Sequence, residues 1–159
     1  MISVGDNLPK ATLHHKTEGG IEALDTTEFL GKGLVVLFGV PGAFTPTCSD
    51  FHLPGFVDSA DAFKEKGVNV LACMSVNDAF VMDAWGKSRG AEGKVEMLAD
   101  GNGDFAKALG LELDLTAKGL GKRVQRFAMV ISNGVVTNLF VEEDGGLKVS
   151  GAEYVLENM

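Results

Sequence analysis

The sequence predicts an α/β domain in three layers: a central mixed sheet flanked by helices, entered through an N-terminal hairpin and ending in an antiparallel pair. Three observations carry this reading. The apolar runs "LVVLFGV" and "VNVLACM" have the length of buried strands and are separated by a segment with helical spacing. Ser132-Asn133-Gly134 stands between the apolar runs "RFAMVI" and "VVTNLFV", and Asn-Gly in that position is a strong hairpin signal. The chain has 159 residues, 45% of them apolar, which suits one core and is short for two. Residues 1–159 are therefore expected to form a single domain.

Taken in order, "ATLHHKT", "EGG" and "IEALD" read as the hairpin, "TTEFLGKG" as a turn of helix and "LVVLFGV" as the first buried strand. Phe56, Val57, Ala60 and Phe63 then recur at helical spacing up to Gly67, with Pro54 expected to kink or interrupt any helix begun near Thr47. "VNVLACM" is the second buried strand. The following helix is predicted to turn Phe80, Val81, Ala84 and Trp85 to the core from a cap at Asn77 or Asp78. A short strand "VEMLAD", a helix in "GDFAKALG" stopped by Gly110, and the Asn-Gly hairpin come next. In the closing "SGAEYVLENM", Ser150 and Glu153 have capping-box spacing, and Ala152, Val155, Leu156 and Met159 face one way.

Composition excludes several functions. Twenty-two acidic residues against fourteen basic give a net charge of −8, and no basic cluster could track a phosphate backbone, so nucleic-acid binding is not expected. No apolar stretch approaches the length of a membrane span, and the N-terminus has no secretory pattern. A cytoplasmic protein is expected, with an organellar site open if a transit segment is removed. "GKGLGKR" lacks the Ser or Thr of a phosphate loop. Asp100 to Asp104 lacks the spaced ligands of a calcium loop and reads as a solvated turn. His14 and His15 point to opposite faces of a strand and make a poor metal pair.

The chemistry concentrates in "GVPGAFTPTCSDFHLPGF", where Cys48 stands at a strand-to-helix turn. A thiol attacks as its thiolate, a form that helix N-terminal amides and a nearby cation favour. Pro46 suits the first helical turn, Thr45 offers a hydroxyl able to orient an oxygen-rich substrate, and Pro41 shields one side from water. No Lys or Arg lies between Lys32 and Lys64, so the cation comes from a distant segment. Arg123 and Arg126 precede a strand of the same sheet, and Arg126, which adjoins it, is the first choice. His52 invites a Cys-His reading but is taken as support behind the reacting groups.

The pattern Pro41, Thr45, Cys48 in "PGAFTPTC" resembles the active-site motif of peroxiredoxins, and "GVPGAFTPTCSDFHLPGF" is similar to their type II (peroxiredoxin-five-like) branch. "MSVNDAFVMDAWG" and "LGLELDLTAKGLGKRVQRFAMVI" extend the resemblance over nearly the whole chain. It implies a thioredoxin-like fold and a thiol-dependent peroxidase that needs no cofactor. Cys48 would be the peroxidatic cysteine, attacking hydrogen peroxide or an organic hydroperoxide and becoming a sulfenic acid. Thr45 and Arg126 would hold peroxide and thiolate under Pro41, with Phe44, Leu120 and Phe127 as walls of the pocket. The tail carries no cysteine, which closes the C-terminal resolving route of part of the family. Cys73 is either a structural thiol, the preferred reading for a buried strand, or a resolving one. The resemblance points to an external reductant, glutaredoxin with glutathione or thioredoxin, and to a homodimer formed through loops near the site. Two other classes compete: a thiol-disulfide oxidoreductase, disfavoured because no Cys-x-x-Cys is present, and a non-enzymatic interaction protein, disfavoured by the intact Pro41, Thr45, Cys48 and Arg126.

Overall fold

The computed structural model describes residues 1–159. Seven strands form one mixed sheet in the order β2-β1-β5-β4-β3-β8-β9. At one edge, β1 (Thr12–Thr17) and β2 (Gly20–Asp25) make the N-terminal hairpin. The centre holds β3 (Leu34–Gly39), β4 (Val70–Ser75) and β5 (Glu96–Ala99), paired in parallel, and it is here that the long apolar runs are spent. β8 (Phe127–Ser132) lies antiparallel to β3, and β9 (Val135–Val141) returns along it. Their turn uses Asn133 at φ 47° and Gly134 at φ 85°, the left-handed pair that a two-residue hairpin requires. A separate two-stranded ribbon, β6 (Glu112–Leu115) with β7 (Gly121–Val124), has no periodic signature in the sequence. Its strands are only four residues long and half-exposed, too short to show a period.

Helices cover both faces. α1 (Thr26–Phe29) is capped by Asp25, and α5 (Asp104–Leu109) stops at Gly110 in the left-handed conformation. Asp100 is not part of a solvated turn as expected: it is buried and accepts from the amides of Phe105 and Ala106, capping α5 from the core side. α4 (Ala79–Ser88) starts at Asp78, whose carboxylate accepts from Val81 N. The face of α4 differs from the predicted one, because Ala79, Met82, Trp85 and Gly86 are buried whereas Phe80 is 59% exposed. Close packing fixes that phase, since a Cβ on Gly86 would sit 2.6 Å from Met97 Cγ. α6 (Ala152–Asn158) buries Ala152 and Val155, but the expected Ser150–Glu153 capping box is absent. Ser150 is committed elsewhere, its hydroxyl donating to Glu142.

The helix after β3 carries the site. Pro46 and Thr47 open it, Cys48–His52 form a π-helical turn, and α2 (Leu53–Asp58) and α3 (Ala60–Glu65) continue it with a break at Ser59. Pro54 does not break the helix as expected. In an unbroken α-helix its ring would strike the carbonyl of Asp50, and the wider turn, closed by Leu53 N on Cys48 O, removes that clash. Two apolar clusters lie on opposite faces of the sheet; Cys48, Cys73 and Trp85 belong to one, Phe127 and Met129 to the other. No helix is long and apolar enough to cross a membrane.

Candidate active site

The site begins where β3 ends. Gly39 must lack a side chain, since a Cβ there would lie 2.2 Å from the Phe127 ring. The following loop is tied from three sides. Ala43 N donates to Asn77 Oδ1 at 3.0 Å, Ser75 Oγ lies 2.8 Å from Val40 O, and Arg123 Nη1 lies 3.5 Å from Pro41 O. Phe44 sits in the left-handed region at φ 64°, a conformation costly for a bulky residue and kept where surrounding contacts impose it. The Thr45 hydroxyl donates to Gly42 O at 2.6 Å, which leaves its lone pairs free to accept. Thr45 also caps the helix through its carbonyl, which receives Ser49 N.

Cys48 follows one turn into the helix and is 0% exposed. Arg126, beside the first residue of β8, donates from Nη2 to its sulfur at 3.1 Å. The same guanidinium donates from Nη1 to His52 Nδ1 at 2.9 Å. That bond fixes the tautomer: Nδ1 accepts, so Nε2 carries the proton and donates to Ser150 O at 2.9 Å. Phe38 and Phe56 enclose the imidazole with ring centroids 5.0 and 5.6 Å away. Burial, and then the guanidinium charge, push the His52 pKa down to about 3, so the ring is neutral. His52 therefore orients Arg126 instead of deprotonating Cys48.

Trp85 Nε1 donates to Ser49 Oγ at 2.9 Å and Arg89 pairs with Asp50 at 3.7 Å, so α4 grips the π turn from outside. Cys73 lies in the same apolar cluster as Cys48 and is fully buried; both thiols are free. Burial, and then the charge of Cys48, push the Cys73 thiol well above its ordinary range. Phe44 is 55% exposed beside the site, and Leu120 is partly exposed. Phe127, expected as a pocket wall, is not one: alternation along β8 sends Ala128 and Val130 to the Cys48 face and Phe127 to the other.

The arrangement delivers a guanidinium to a shielded sulfur beside a hydroxyl with free lone pairs, which suits attack on a small polar electrophile. Comparisons with known proteins agree. The redoxin family model matches residues 3–156. The chain is 48% identical to the chloroplastic peroxiredoxin-2E of Arabidopsis thaliana, over 98% of this chain and 68% of that protein. It is equally identical to peroxiredoxin-2C of Oryza sativa subsp. japonica, over 98% and 97%. The chain is a type II peroxiredoxin. Peroxiredoxins are thiol-dependent peroxidases, and the thioredoxin-like fold agrees in three dimensions. The crystal structure of reduced Prx3 from Vibrio vulnificus in complex with hydrogen peroxide has a TM-score of 0.95 and 52% identity, covering 99% of this chain and 98% of that one.

Arg123, the second candidate cation, buttresses the Pro41 loop while Arg126 takes the sulfur. One group of this peroxiredoxin escapes a reading of the sequence. Glu142, in "VEEDGG", gives no signal, because its partners are mostly backbone amides.

Proposed function

We propose that Cys48 is the peroxidatic cysteine of this enzyme, with Arg126 and Thr45 holding the substrate and Pro41 covering the turn. The observation that carries the assignment is the 3.1 Å contact from Arg126 Nη2 to Cys48 Sγ, since a cation hydrogen-bonded to sulfur favours the thiolate over the thiol. The thiolate attacks the terminal oxygen of hydrogen peroxide or an organic hydroperoxide. The S–O bond forms as the O–O bond breaks, and the departing hydroxide or alkoxide takes a proton from water. Sulfur leaves the step two electrons poorer, as a sulfenic acid. Arg126 carries part of the charge that develops on the two oxygens, and Thr45 accepts from the peroxide hydroxyl.

One external thiol then condenses with the sulfenic acid, releasing water and leaving a mixed disulfide. A second frees Cys48 and departs as a disulfide. Glutathione with glutaredoxin, or thioredoxin, supplies these electrons. Cys73 is proposed as structural, since a buried thiol held protonated is a poor nucleophile. We place residues 1–159 as one peroxiredoxin domain working in the cytosol, where thiols such as these stay reduced.

The protein works as a homodimer in this proposal. Phe44 and Phe80 are exposed, and Ala43 N on Asn77 Oδ1 holds their two loops together. Arg123, bonded to Leu120 O and near Val76 O, brings Leu120 to the same region. An apolar surface beside a catalytic loop is the kind a second copy covers.

Stopped-flow peroxide capture tests the assignment. Cys48→Ser is expected to abolish capture while circular dichroism stays parental, and Cys73→Ser to keep most turnover with glutathione and glutaredoxin. Parental capture by folded Cys48→Ser would overturn the assignment, and loss of most turnover in Cys73→Ser would make that thiol the resolver.

A further inference from the structure

The loop after β9 is fastened by one carboxylate. Glu142 Oε2 accepts from the amides of Lys148 at 2.9 Å, Val149 at 2.8 Å and Ser150 at 2.8 Å, and from Ser150 Oγ at 2.7 Å. Its own N–H donates to Arg126 O at 3.0 Å, so the anchor and the arginine share a backbone tie. Burial alone would push this carboxyl up, but the Ser150 hydroxyl and the three amides outweigh it and hold Glu142 below the ordinary range.

The fastened loop returns two carbonyls to the site. Ser150 O receives His52 Nε2, and Gly145 O lies 3.4 Å from Arg126 Nε. Each working nitrogen of the guanidinium is thereby directed: Nε to Gly145, Nη1 to His52, Nη2 to the sulfur. An arginine left to itself has many rotamers to lose, so an unheld guanidinium would spend little of its time aimed at the sulfur. The loop itself is glycine-rich, with Gly145, Gly146 and Gly151, and its internal ties are exposed ones on Asp144, which accepts from Gly146 N at 3.1 Å and pairs with Lys148 at 3.6 Å.

We propose that Glu142 is a positioning residue for peroxide capture, holding the 143–151 loop so that the carbonyls of Ser150 and Gly145 aim His52 and Arg126 at Cys48. The inference rests on the roles given above to Cys48 and Arg126. Glu142 touches neither substrate nor sulfur; it acts through the loop.

The test compares Glu142→Gln, Glu142→Asp and Glu142→Ala in the full-length protein by second-order capture of hydrogen peroxide and by the imidazole Nε2–H signal of His52 in NMR. Gln keeps an accepting oxygen at the same reach and is expected within about threefold of the parent. Asp withdraws the acceptor by one methylene and Ala removes it; both are expected to slow capture about 10- to 100-fold, with the His52 signal broadened or lost. Should Ala fail to fold, the Asp and Gln pair decides. Parental capture in Asp, capture in Gln as slow as in Asp, or slowed variants with an unchanged His52 signal would each overturn the proposal. Capture retained by Cys48→Ser would instead strike the assignment of the site itself.

Discussion

At the scale of single residues, Arg126 has a place that no other cation can fill. Its fork meets an imidazole nitrogen and a sulfur at once, both buried. Arg126→Ala is expected to slow peroxide capture about 10²- to 10³-fold, the usual loss of one preorganised donor. Arg126→Lys should restore little, because a single ammonium lacks the fork geometry; near-parental capture by Lys would refute this. His52 links the site to acid stability. Its folded-state pKa of about 3 lies below its ordinary 6.5, so between those values the unfolded chain binds a proton that the folded chain does not. Stability from this group is full above 6.5 and drains away as pH falls toward 3, and Glu142, held low, adds a loss of the same sign at lower pH. Urea unfolding at about pH 7 and about pH 4.5 should show His52→Asn losing less stability than the parent over that interval. An equal loss would refute it. The meeting of Arg126 with Cys48 is legible in the sequence because no Lys or Arg lies between Lys32 and Lys64, so the cation has to come from a distant segment, and a strand start marks the candidate. Glu142 is illegible because its work is done on backbone amides, which every residue carries.

At the scale of elements, the π turn and α4 act as one unit. Trp85→Phe removes the donor to Ser49 Oγ and leaves a buried hydroxyl unsatisfied, at an expected cost of about 1–3 kcal/mol. Adding Ser49→Ala should recover part of that loss, and a double-mutant cycle by denaturant unfolding measures it; strict additivity would show that the pair does not interact. The N-terminal hairpin, the central strands and the Asn-Gly pair are readable in the sequence because apolar runs and turn residues are local signals, whereas the order of strands across the sheet is not local and is not read there. The face of α4 is not readable, since over ten residues the 3.6 period tolerates two phases and Gly86 against Met97 selects one. Pro54 misleads for a related reason: a ring that stops an α-helix is accommodated by a wider turn. The Ser150–Glu153 spacing fails as a cap because Glu142, eight positions upstream, takes the serine first.

At the scale of the whole molecule, the central parallel strands bring the β3 exit, the β4 exit and the β8 start to one end, and the exposed Phe44 and Phe80 gather there too. In sedimentation velocity the parent is expected to run as a dimer and Phe80→Asp to shift toward monomer; a parental dimer in that variant would move the interface elsewhere. Cys48 itself presents no surface to solvent. On the proposed role of Cys48, that seclusion would split the cycle into halves with different gatekeepers. Hydrogen peroxide, of two heavy atoms, is expected to enter on a brief opening of the loop, whereas a bulkier thiol reductant is expected to require the π turn to move away from Trp85 first. Capture should therefore track chemistry, and regeneration should track the opening frequency of one short stretch of helix.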